Sequence, residues 1–75
     1  MKSVEQWLFD KIKDRGITIQ FLSDRTGVGY NTLMNCKNYG AKIKAEDFLA
    51  VCVAAGINPL EWEEYKKGFN DGEED

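Results

Sequence analysis

Histidine is absent from this 75-residue chain, and with it go the commonest general base and the commonest metal ligand. Only two cysteines occur, Cys36 and Cys52, so a cysteine/histidine zinc site lacks ligands and at most one disulfide can form. Both sit in apolar stretches of helical spacing, where a reduced cysteine acts as a small core hydrophobe. Proline occurs once, at Pro59, and 43% hydrophobic against 31% charged residues is the balance of a folded unit. No apolar run approaches the roughly 18 residues of a membrane span. The opening Met1-Lys2-Ser3-Val4-Glu5 turns at once to mixed polarity, unlike a secretory signal. These shortages lead to the expectation of a cytoplasmic, non-enzymatic protein without metal or cofactor and without a membrane partner.

What is present suits one small domain with a single core. The net charge of −3 is unevenly spread. Residues 1–60 hold eight Lys and Arg against six Asp and Glu, a net of +2, whereas residues 61–75 hold two against seven, a net of −5. The body is mildly basic, enough for weak steering toward phosphate, and the acidity belongs to the end of the chain.

Five helices follow from apolar spacing and punctuation. The first is expected from Ser3, an N-cap, to Asp14, with Val4, Trp7, Leu8 and Ile12 on one face and Gly16 as its stop. Thr18 caps a second reaching about Thr26, with Phe21 and Leu22 facing inward or along the boundary. Gly27 supplies the positive φ of a tight turn. A third opens near Gly29 or Tyr30, turns Leu33 and Cys36 inward, and is stopped by Asn38-Tyr39-Gly40. A loop over 41–44 leads to a fourth helix, Ala45 to Ala55, with Phe48, Val51, Cys52 and Ala55 on its core face. Gly56 ends it, Ile57 packs inward, and Asn58-Pro59 restarts the chain as a cap followed by proline at the first helical position. The fifth carries Leu60, Trp62, Tyr65 and Phe69. Phe9, Ile19, Met34 and Ile43 fall off these stripes and are expected outside the core. With no strand-like alternation the fold class is all-α: a domain over residues 1–68 and an acidic, frayed tail over 69–75.

Function is concentrated in Ile17-Thr18…Leu22-Ser23…Gly27-Val28…Leu33. Two short helices meet at a tight turn, with a glycine at a fixed offset and an apolar plug behind it. Such a turn props the second helix outward so that its N-terminal end can enter a DNA major groove, about 12 Å wide.

This stretch, together with Phe48…Val51-Cys52…Ala55-Gly56-Ile57-Asn58…Trp62, resembles the helix-turn-helix domains of the phage lambda-repressor and Cro family, over roughly Leu8 to Trp62. The resemblance implies a five-helix DNA-binding domain of a phage- or mobile-element-type transcriptional regulator. It matches Tyr30, Asn31 and Asn35 to positions that face base edges, and Thr18, Gly29, Thr32 and Asn38 to positions near backbone phosphates. Asn suits adenine, and Lys42 and Lys44 suit contacts that ignore sequence. Two departures stand out. Ile19 replaces a glutamine that helps hold the DNA backbone in the family. Ile12 and Lys37 occupy the places of a family Arg–Glu pair, which therefore cannot form here.

Two functions of different classes fit these observations. The first is a repressor-like module that reads double-stranded operator DNA as a homodimer on a palindrome. The second keeps the fold but turns it on a protein partner, as an anti-repressor or antitoxin-like modulator. Ile19, the low body charge and the acidic end would fit the second. The features that separate the two are the charge around the third helix and whether Ile19 joins an exposed apolar patch.

Overall fold

The computed structural model describes the backbone of residues 1–73 and the side chains of residues 1–68. Its elements are α1 (Val4–Asp14), α2 (Ile19–Thr26), α3 (Tyr30–Tyr39), α4 (Ala45–Ala55) and α5 (Leu60–Glu73). No strand occurs among the described residues. Side-chain caps open three of the helices. Ser3 Oγ accepts the Gln6 N–H at 3.2 Å, and Thr18 Oγ1 accepts that of Phe21 at 3.1 Å. At the head of α5, Asn58 Oδ1 accepts the Leu60 N–H while Glu61 Oε2 accepts the Asn58 N–H, a reciprocal cap.

α2 packs against both α3 and α4, and α1 reaches α3. Leu8, Leu22, Leu33, Val51 and Cys52 are fully buried where these helices meet. Each such apolar side chain contributes about 1.5–3 kcal/mol of burial free energy. A second, aromatic seam closes α1, α4 and α5. Trp7 stands 5.6 Å from Trp62 and 6.4 Å from Phe48, and Trp62 stacks on Tyr65 at 5.6 Å. Both cysteines are buried and unbonded. Burial pushes their thiols up, Cys52 to about 11, so both stay protonated near neutrality.

The structure corrects three apolar positions. Phe9 and Ile19 are buried, not outside the core. On α1 the inward stripe is Glu5, Leu8, Phe9 and Ile12, with Trp7 beside it, because the helix is covered from more than one side. On α2 the inward pair is Ile19 and Leu22, which rotates Phe21 outward to 40% exposure. There its ring lies 5.1 Å under the Arg25 guanidinium. Met34 and Ile43 are half-buried against the core.

The backbone of α5 is helical to Glu73, beyond Gly68, where a frayed tail was expected. Each of its two glycines, Gly68 and Gly72, costs the helix only about 1 kcal/mol relative to alanine, and no proline follows to stop it. The side chain of Phe69 and the last two residues lie outside the described residues.

Candidate nucleic-acid interface

The α2–α3 turn is held by its own side chains. Gly27 takes φ 78°, the left-handed conformation that lets α2 stop and the chain reverse. Ser23 Oγ then donates to the Val28 carbonyl at 2.8 Å. Thr26 Oγ1 donates to the Leu22 carbonyl at 2.7 Å and accepts the Val28 N–H at 3.1 Å. Val28 packs against the core as the plug. Three hydrogen bonds across seven residues thus set the angle at which α3 leaves. Its N-cap, Gly29, offers no side chain to the first N–H groups, so those donors and the positive end of the dipole remain available to an anion.

α3 has an inner and an outer face. Leu33 and Cys36 are buried. At about 100° per residue, Asn31, Asn35 and Asn38 fall on the side away from that pair. All three are exposed, and their side chains bond to no described residue. The outer ridge of α3 is therefore asparagine. Tyr30, Met34 and Lys37 form the row on one side of it, and Thr32 and Tyr39 the row on the other.

Each flank opens into a cleft. On the first, α1, α2 and α3 enclose about 450 Å³ lined by Lys13, Thr18, Gln20, Tyr30, Met34 and Lys37, over a floor that includes Phe9 and Ile19. On the second, Gly29 and Thr32 face Lys42 and Lys44 across a cleft of about 350 Å³ that also touches Asp47. Thr18 Oγ1 is already an acceptor for the Phe21 N–H, which leaves its O–H to donate outward. Lys13, Lys37, Lys42 and Lys44 are exposed, and none forms an ion pair among the described residues. The lysines that do pair lie on α5, on α1 or just before α1, away from these clefts: Lys2 with Asp10, Lys11 with Glu61 and Lys66 with Glu63.

One buried carboxylate braces the second cleft. Glu5 is only 6% exposed, and its Oε2 accepts the Ile43 N–H at 3.0 Å. Ile43 packs on the core between Lys42 and Lys44, so α1 ties down the segment that presents both cations.

The nine residues singled out from the sequence are all exposed, and the structure groups them by flank. Asn31 and Asn35 share the outer ridge with Asn38, which the resemblance set beside the backbone. Tyr30 sits with Thr18 in the first cleft, and Gly29, Thr32, Lys42 and Lys44 share the second. Sequence reasoning left Lys13, Gln20 and Glu5 without a role. Only Glu5 left a signal, a carboxylate on the apolar stripe with Leu8, Phe9 and Ile12. Two features bear on the choice between a DNA and a protein partner: Ile19 is buried, on the floor of the first cleft, and four lysines around α3 form no ion pair with a described residue. No protein-family model, curated protein or solved structure significantly matches this chain.

Proposed function

We propose that this protein is a sequence-specific DNA-binding regulator of the repressor type, which inserts α3 into the major groove. One observation carries the reading: a ridge of unpartnered asparagines on α3, with unpaired lysines on both flanks. A major groove has base edges on its floor and a phosphate backbone along each wall, so a reader needs neutral hydrogen-bonding groups at its centre and cations to either side. On this reading Asn31 and Asn35 contact bases. Lys13, Thr18 and Lys37 meet one backbone, and Lys42, Lys44 and the N–H groups at Gly29 meet the other. One protomer covers one half-site, and two bind a palindrome. The test is selection from a randomised duplex pool at two salt concentrations. Enrichment of a palindromic site whose retention weakens with salt is the expected result, and absence of enrichment by folded protein rejects the reading.

A second reading, a protein-directed module on the same helices, is favoured by a different surface. Phe21, Leu49 and Val53 are 40%, 51% and 78% exposed and line one shallow groove between α2 and α4. Apolar groups gathered in this way suit a partner protein. Pull-down of a partner that is lost on Val53→Asp, with no duplex retained, would favour it.

A further inference from the structure

We infer that the operator half-site presents adenines, not guanines, to the centre of α3. This inference rests on the DNA-binding reading and names the bases that the site takes. The outward ridge, Asn31–Asn35–Asn38, contains three carboxamides and no cation. Lys37 belongs to a flanking row and lines the clefts beside the ridge.

A carboxamide carries one acceptor and one NH₂ donor side by side. Adenine's major-groove edge offers the complementary pair, N7 as acceptor and N6–H₂ as donor, so both bonds form at once. Guanine offers two acceptors, N7 and O6. An asparagine there would satisfy one and set its own carbonyl oxygen against the other, and the usual guanine reader, Arg or Lys, is missing from the ridge.

Spacing constrains the pattern further. Asn31 and Asn35 are four residues apart, about 6 Å along the helix axis. Successive bases on a strand are about 3.4 Å apart, so the adenines they read lie one or two base steps apart. The side chains that would make the bonds are solvent-exposed and have no described partner, so no internal bond must break before they reach the bases.

The experiment uses the full chain. Duplexes selected by wild type are resynthesised with 7-deazaadenine at one adenine at a time, which deletes N7 and keeps Watson–Crick pairing. Affinities are measured by fluorescence anisotropy for wild type, Asn31→Ala and Asn35→Ala, each checked for folding by circular dichroism. The expected result is A·T pairs at the read positions and a loss on the order of ten-fold or more for wild type at one adenine. Asn31→Ala or Asn35→Ala should be indifferent to that same replacement. Guanine at the read positions, or wild-type affinity unchanged at every 7-deazaadenine, overturns the inference while leaving DNA binding intact. Folded protein that retains no duplex at low salt removes the DNA reading, and the inference falls with it.

Discussion

The three paired lysines near the aromatic seam, Lys2, Lys11 and Lys66, and the four lysines around α3 are the same residue type put to different uses. Lys2, Lys11 and Lys66 bond to carboxylates of their own chain. Lys11 and Lys66 also lie 5.5 and 5.6 Å above the rings of Trp7 and Trp62, so their stems and charges belong to the aromatic seam. Lys13, Lys37, Lys42 and Lys44 have neither kind of partner among the described residues. Leaving these cations unpaired costs the fold little, because an exposed ion pair is worth only about 0–1 kcal/mol. Those charges can act on something outside the chain. The contrast separates a self-contained face, where mutations should alter folding, from an outward face, where they should alter binding.

The sharpest way to break this division is in the core behind α3. Leu33→Ala removes a fully buried side chain and should cost about 2–5 kcal/mol, read by urea denaturation. In a domain this small that is a large share of total stability, and DNA binding should be lost only because the fold is lost.

Cys52 gives a pH-dependent test of the same core. Its folded value of about 11 stands above the ordinary 9.0, so the folded chain holds a proton that the unfolded chain releases. That contribution is fully present below pH 9 and declines as pH rises toward 11, by roughly 2–3 kcal/mol. Wild type should lose stability across that window faster than Cys52→Ala, whose own offset is constant with pH. Parallel curves would mean that the thiol is not held protonated by burial.

Glu5 links the two faces, and Glu5→Ala should have an intermediate effect. Deleting the acceptor of the part-buried Ile43 N–H should cost about 1–3 kcal/mol. It should also speed hydrogen exchange at Ile43 and weaken DNA binding by loosening Lys42 and Lys44. Unchanged Ile43 exchange would sever the proposed brace.

The smallest stability effects belong to the outward face. Lys44→Ala should leave the urea midpoint unchanged, weaken binding to every duplex and lower the salt slope by about one. Lys66→Ala should leave the salt slope unchanged and cost less than about 1 kcal/mol with its exposed pair to Glu63.

Much of this frame was legible in the sequence. All five helices were expected within a residue or two at most boundaries, because Ser3, Thr18 and Asn58 are capping residues and Gly16, Gly27, Gly40 and Gly56 take the positive φ at which the elements stop. Phe21 was misread because two adjacent apolar residues open a helix that buries only one narrow strip, and Ile19, not Phe21, shares that strip with Leu22. Phe9 was misread because α1 is covered on two sides, which a one-face periodicity does not describe. At the site, the asparagine row could be counted from sequence, but the pairing of Lys13 with Thr18 and of Lys42 with Thr32 depends on how α1 and the 41–44 segment fold back beside α3. Glu5's partner is 38 residues away, and no local pattern encodes it.

The most direct measurement compares the two sets of lysines by their effect on the salt dependence of DNA affinity. Wild type, the variant Lys13→Ala/Lys37→Ala/Lys42→Ala/Lys44→Ala and the variant Lys2→Ala/Lys11→Ala/Lys66→Ala are titrated with the selected duplex over a range of salt. The α3 variant should remain folded and show a slope shallower by roughly three to four, while the other variant keeps the wild-type slope. Equal slopes for the two variants would contradict the claim that α3 and its flanks are the DNA-binding face.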